Sequence, residues 1–464
     1  MARQRRRRRG LSRAFYSDPT RVEDTLEQPA IHEAGVARIL ELTMRIGEQL
    51  LAVGASAREA TVAMRDVAQA YDLHGLQADV TFNSVTVSYH RPGERPMTMM
   101  RVVHNMEPDH SKFQRIQLLL ARIDNGMGLA EALEGIRGIR RTPFRYRSLI
   151  VAIARAVVAV GVGIMYDGSP VILALTFVAA LAAALTQAGL TTIKVPPFFR
   201  QVAGAFVITS VAVGVSALGE AGVEPFTDVR PAIIVSSGIV VMLAGLALVG
   251  AVKDAIDGFS ITAGGRILEL ILQTVGVVLG IYVGLELGRL LGYGIPLPEE
   301  ALPRGSLLHV LAGAFVLALA VAISNGGDAR LVLISGVLSV SAAGGYSVAE
   351  SFGFSVVAAS AIGAIVGAFL GTMISRASFV PSVAVTTAAI IPLVPGAMVF
   401  RGLLQIATSD KLEGTLAGMD LLAHAAMIAV ALAVGAALGN GVGLRGRRAR
   451  SIAAEPPSFV GPTR

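Results

Sequence analysis

The chain has 464 residues, 53% of them hydrophobic and 16% charged, against about 25% charged in an ordinary soluble domain. Its net charge of +7 is uneven: residues 1–147 carry 23 Lys/Arg and 17 Asp/Glu, and the remaining 317 carry 17 and 16. That excludes a wholly soluble protein, and the absence of cysteine excludes disulfide frameworks, thiolate metal sites, iron–sulfur clusters and cysteine catalysis.

The expected architecture is a polytopic α-helical membrane protein with an N-terminal cytoplasmic α+β domain. Residues 1–30 open with Arg5 to Arg9 and no apolar run follows, so they read as a disordered basic tail drawn to anionic lipid, not as a secretory signal peptide. Residues 31–147 form the soluble domain. Apolar positions at helical spacing predict a helix over Ile31–Val53, with Gly54 at its C-terminal cap. Ser56-Ala-Arg-Glu59 is a capping-box pattern and predicts a helix from Ala57 to Tyr71. Asp79–His90 is rich in β-branched and aromatic residues and reads as one strand. Arg91-Pro-Gly-Glu94 offers a turn, and Met97–Val103 returns as a second strand. Helices are expected near Ser111–Asp124 and Leu129–Ile139.

Ten apolar segments follow, within 148–166, 170–190, 201–219, 231–251, 266–291, 306–323, 330–346, 353–373, 380–403 and 420–442. With the N-terminal domain inside, inner flanks hold 15 Lys/Arg and outer loops 5, which puts both termini in the cytoplasm. Gly245, Gly284 and Gly288 recur 151 positions later as Gly396, Gly435 and Gly439, and Glu269 falls on Asp420. Ser148-Leu149 and Asp167-Gly168 recur 158 positions later as Ser306-Leu307 and Asn325-Gly326. The expected units are repeat 1 (148–292), repeat 2 (293–443) and a basic cytoplasmic tail (444–464). Five spans per unit would turn the second copy upside down, as in secondary transporters.

Energy and site follow from the remaining motifs. None of the four lysines has a P-loop context, so an ion gradient, most simply protons, is the expected driving force. Pro392-Leu-Val-Pro395-Gly396 breaks span nine, and Gly245 is the matching position of span four. Breaks supply free backbone groups to a substrate. Gly326-Gly327-Asp328 and Gly344-Gly345-Tyr346 are weaker candidate breaks beside span seven. A zwitterionic amino acid needs an anion for its ammonium and a cation for its carboxylate, which Asp254 and Arg266 could supply. Asp254 or Glu269 could carry the coupled proton if burial raises its carboxyl. The bland alternative for these charges is a solvated inner loop. Arg155 is expected to snorkel and Glu286 to face the outer interface, both structural. The seven histidines show no paired helical spacing, so no metal and no cofactor is expected. A hydrolase built on Asp79, Ser84, His90 and His104 is the first rival, although Gly54-Ala-Ser56-Ala-Arg58 lacks the second glycine of a nucleophile elbow. A regulatory or scaffold membrane protein is the second.

Several of these residues resemble the threonine/serine exporter family in its fused form. The likeness spans most of residues 31–443. In the soluble part it rests on Gly54-Ala55, Arg58-Glu59 and Thr81-Phe-Asn-Ser-Val-Thr-Val-Ser88. In the membrane part it rests on Gly245 through Lys253-Asp254, Gly258, Gly265-Arg266, Glu269 and Pro395-Gly396. Two departures are Ala244-Gly245, where the family pattern favours Pro-Gly, and Gln405, where the first repeat has Asp254. The resemblance implies proton-driven export of threonine and serine across the plasma membrane, with the soluble domain part of the transporter. Split-chain relatives imply dicarboxylate export as the alternative. The expected partners are an amino-acid substrate, protons and membrane lipids, with no nucleic acid; a homo-oligomer is compatible with the sequence.

Overall fold

The computed structural model describes residues 33–91, 95–104, 106–227, 229–242, 245–293, 304–378, 382–409 and 411–454. The expected tail 1–30, the tip of the 91–94 turn and the last ten residues lie outside that set.

Residues 33–141 form four helices and one sheet: α1 (Glu33–Ala52), α2 (Ala57–Ala70), β1 (Gln77–Thr81), β2 (Ser84–Tyr89), β3 (Met97–Val102), α3 (His110–Asp124) and α4 (Leu129–Arg141). The capping box forms as the sequence predicts: the Ser56 hydroxyl accepts from the Glu59 N–H, and the Glu59 carboxylate accepts from the Ser56 N–H. Gly54 takes φ +90°, open to glycine at low cost. The single strand expected over Asp79–His90 is instead a hairpin. Phe82-Asn83 turn the chain, with Phe82 at φ +53°, so Val80 pairs Val85 and Ala78 pairs Val87. β-Propensity alone does not reveal a turn made by an aromatic residue and an asparagine. The sheet order is β1-β2-β3, all antiparallel. Ala78, Val80, Val85, Val87 and Tyr89 point to one face and bury against the helices, in a core with Leu40, Met64 and Ile116.

The rest is helical: α5 (Ser148–Met165), α6 (Pro170–Thr192), α7 (Pro197–Glu220), α8 (Pro231–Met242), α9 (Gly245–Ile256), α10 (Ser260–Leu290), α11 (Leu307–Ser324), α12 (Ala329–Ser351), α13 (Val356–Ser378), α14 (Ser382–Ile390), a 3-10 turn (Ile391–Leu393), α15 (Gly396–Thr408) and α16 (Leu412–Ala454). Eight of these are long and apolar enough to cross a membrane, α5–α7, α10–α13 and α16. The chain is thus a multi-pass helical membrane protein. Apolar segment nine, expected as a span, is split into two short helices, α14 and α15. Pro392 and Pro395 explain the split, since each removes a backbone donor. Segment four holds α8 and α9, and residues 243–244 between them lie outside the described set. α12 runs unbroken through Gly344-Gly345, so that candidate break is not one. Part of the expected C-terminal tail continues α16 as far as Ala454.

Element order and pairing recur along the chain. α10 packs along α7 as α16 packs along α13, and α5 lies against α11. α9 touches α10 and α16, and α15 touches the same two helices. Glycines allow the close approaches. A Cβ at Gly280 would collide with the Val202 carbonyl, and one at Gly435 would sit 2.5 Å from the Ala361 carbonyl. Small residues at four-residue spacing let backbones pack this way in lipid. The other face of α10 presents Leu268, Leu272, Val275 and Leu279 outward, as a lipid-facing surface requires.

Gly280→Leu is expected to destabilise the purified protein by about 1–3 kcal/mol through overpacking, read as a lower melting temperature in detergent. Gly214→Leu on α7, where a Cβ would meet nothing within 4 Å, should leave it unchanged.

Candidate functional site

Two places gather the sequence-predicted residues. The first is the junction between the α+β unit and the α9–α10 corner. Asp254, in the last turn of α9, has no exposed surface. One carboxylate oxygen accepts the Ala57 N–H at 3.2 Å and the other is held by Arg266. Ala57 opens α2, so its N–H is one of the donors a helix cannot satisfy internally, and a carboxylate there is favoured by the helix dipole. Around this pair, Arg58 bonds Asp257 at 2.8 Å and Lys253 approaches Glu59 at 3.4 Å. The hairpin tip adds a second hold. The Phe82 N–H donates to the Thr262 hydroxyl at 3.0 Å, and that hydroxyl donates to the Val80 carbonyl at 3.1 Å. Gly265 leaves room for the Phe82 ring, since a Cβ there would lie 2.7 Å from it. Beyond the spanning helices, burial raises the Asp254 carboxyl, and Arg266, the Ala57 N–H and Lys253 pull against that rise.

The same unit also meets the end of α11. The His110 N–H donates to the Asn325 carbonyl at 2.8 Å, and the Tyr146 hydroxyl to the Gly327 carbonyl at 2.7 Å. Burial lowers the His110 imidazole to about 4, so it is neutral at physiological pH.

The second place is a cavity of about 360 Å³ among α5, α6, α7, α8, α10, α11 and the start of α15. Gly396, the first residue of α15 after the break in segment nine, lines it, as does Met242 in α8. Its polar lining is Arg155, Gln187, Gln201, Gln273, Ser324 and Asn325. Pro108, from the loop between β3 and α3, also lines it.

The expected site residues therefore divide. Asp254 and Arg266 meet, but they meet each other and α2, and neither lines the cavity. Gly396 lines the cavity, and the buried Pro395 precedes it. Gly245 opens α9. Glu269 is exposed on α10 and accepts from Gln273 at 3.1 Å. In the rival constellation, the Ser84 hydroxyl donates to the Thr81 carbonyl and Asp79 accepts from the Thr81 hydroxyl.

Comparison with known proteins decides the family. Residues 41–288 match the family model described as a putative threonine/serine exporter, and residues 310–442 match the one described as threonine/serine exporter, ThrE. The chain belongs to the threonine/serine exporter family. It is 30% identical to the threonine/serine exporter of Corynebacterium glutamicum over 431 residues, 91% of this chain and 85% of that relative. It is 31% identical to the probable threonine/serine exporter of Mycobacterium tuberculosis (strain ATCC 25618 / H37Rv) over 462 residues, 93% of this chain and 82% of that one. No solved structure matches.

In this family member, sequence reading missed Arg155 and the three glutamines. Arg155, expected to snorkel, is exposed and lines the cavity. A lone arginine and scattered glutamines in apolar helices carry no spacing signal. Their proximity to the broken segment nine appears only in three dimensions.

Asp254→Ala leaves Arg266 unpaired and the Ala57 N–H orphaned. A loss of about 3–5 kcal/mol is expected from breaking a buried pair, with faster proteolytic release of the α+β unit. For His110 the folded-state value lies below the ordinary 6.5. The unfolded chain then binds more protons between about 6.5 and 4, so this group lowers stability as pH falls through that window, by at most about 1.4 kcal/mol per pH unit. His110→Gln should flatten that slope in melting temperatures measured against pH.

Proposed function

We propose that the chain is a secondary active exporter of threonine and serine in the plasma membrane, driven by the proton gradient. The observation that carries this reading, beside family membership, is the cavity bordered by the broken segment nine and lined by one arginine and several amide side chains. Half-helix ends around a central cavity are how secondary carriers present free backbone groups to a solute. The eight continuous helices, segment four and the split segment nine together make ten passes, arranged as two five-span repeats of opposite orientation. The Lys/Arg bias then places both termini and the α+β domain in the cytoplasm. Pro395 and Gly396 give the break that moves between inward and outward states, and Gly245 is its proposed counterpart in segment four.

Asp254 is the proton carrier of this reading, and Glu269 the second candidate. Protonation of Asp254 would remove the charge that Arg266 and the Ala57 N–H hold. The grip of the α+β domain on the α9–α10 corner would weaken. That domain also supplies Pro108 to the cavity, so a proton taken up at the junction can loosen what covers the substrate. Antiport of protons against amino acid then follows from one charge. Neither the hydrolase nor the regulatory alternative gains support from a specific observation.

The test is efflux from cells loaded with threonine-containing dipeptides, with and without the gene and with and without a protonophore. Gene-dependent, protonophore-sensitive release of threonine is expected. No gene-dependent release of threonine or serine from protein shown to be in the membrane would overturn the reading. Asp254→Asn is expected to lower efflux about tenfold, equivalent to about 1.4 kcal/mol, and to flatten its pH dependence. Glu269→Gln should retain most of it. Wild-type rates from both variants across pH would remove proton coupling from these residues.

A further inference from the structure

We propose that Arg155 holds the substrate's carboxylate in the cavity, facing glutamine carbonyls that hold its ammonium, and that this single cation restricts the site to amino acids with one carboxylate. The inference rests on the exporter reading and names the site residues that reading leaves open.

Arg155 is the eighth of the 18 residues of α5, near the middle of a span. A guanidinium at that depth is costly unless it faces a partner or a water-filled cavity. Among the described residues no carboxylate pairs with Arg155, and none of the residues lining the cavity is acidic. The cation therefore faces a space that contains no protein anion. A carboxylate entering that space would accept two parallel N–H bonds from the guanidinium fork.

The glutamines around it are committed in one direction. The Gln187 amide nitrogen donates to the Arg200 carbonyl at 3.4 Å and to the Gln201 amide oxygen at 3.0 Å. The Gln201 nitrogen donates to the Met242 carbonyl at 3.4 Å, and the Gln273 nitrogen to the Glu269 carboxylate at 3.1 Å. A carbonyl or carboxylate partner can only accept, so each amide must point its nitrogen there. Acceptor capacity is left over: the oxygens of Gln187 and Gln273, and a second lone pair on that of Gln201. A site of one guanidinium and several amide oxygens complements a carboxylate and an ammonium on the same small molecule. A second carboxylate would meet those oxygens with no cation to receive it. Val158, Ala183 and Leu317 complete the wall with apolar surface suited to a short side chain.

This arrangement also gives Glu269 a function without a proton. It anchors Gln273 and so keeps that amide's oxygen free.

The experiment is threonine counterflow in proteoliposomes of the full-length protein, with competition by threonine, threonine amide and aspartate. Ligand-induced thermal shifts of the detergent-purified protein are measured beside it. For the wild type, threonine is expected to compete at least about tenfold better than either analogue, the size of a lost charge-assisted hydrogen bond. Arg155→Gln should raise the KM for threonine about tenfold or more and bind threonine no better than threonine amide. Arg155→Lys should keep part of the preference. Arg155→Gln binding threonine within about twofold of wild type would overturn the proposal. So would wild-type protein that accepts threonine amide or aspartate as well as threonine. If Arg155→Gln does not fold, the analogue series on the wild type decides. Absence of threonine flux and threonine thermal shift in the wild type would instead sink the exporter reading itself.

Discussion

A buried carboxylate governs how the two parts of this protein fit together. Asp254 has no contact with solvent, and an ion in that position is tolerable only with partners on every side. Those partners come from different parts of the chain: Arg266 from the adjoining span and the Ala57 N–H from a helix start 197 residues earlier. Because α2 must present its N-terminus to that oxygen, the orientation of the whole α+β unit follows. The capping box then has two duties. It closes the first turn of α2, and its Glu59 meets Lys253 beside the buried pair.

The residues that carry the family resemblance converge there. Arg58-Glu59, Phe82, Lys253-Asp254, Gly265 and Arg266 lie far apart in sequence and form one interface. Each has a physical reason to be what it is. The glycine clears the Phe82 ring, the arginine neutralises a buried acid, and the hairpin turn offers its N–H to Thr262. The α+β part is built onto the membrane part rather than merely tethered to it. It also reaches the cavity through Pro108 and the end of α11 through His110.

The membrane part depends on a different constraint. In lipid, apolar side chains gain little by meeting one another, so helices associate where backbones approach closely. Gly280 against Val202 and Gly435 against Ala361 supply that approach, on α10 against α7 and on α16 against α13. The broken segment nine borders the cavity through Ile391, Val394 and Gly396, where polar backbone can be accommodated because it does not face lipid.

The sequence by itself determined the division into a polar and an apolar part, the long helices, the capping box and the matched glycines. These are local or periodic features, and local chemistry is sufficient to set them. The splitting of segment nine was legible too, because proline cannot donate to a helix. The Phe82-Asn83 hairpin was not, since β-branched residues on both sides mask a turn of this composition. Only the tertiary structure decided which partner each charge takes. Asp254 and Arg266 read as a pair that could receive a substrate, yet in the fold they bond each other and Asp254 accepts from the start of α2. Arg155 read as a snorkelling side chain, yet folding turns it toward a cavity. The reason is the same in both cases. An α-helix that is apolar all round carries no stripe to mark its inner face, so the direction of a lone polar residue is set by neighbours distant in the chain.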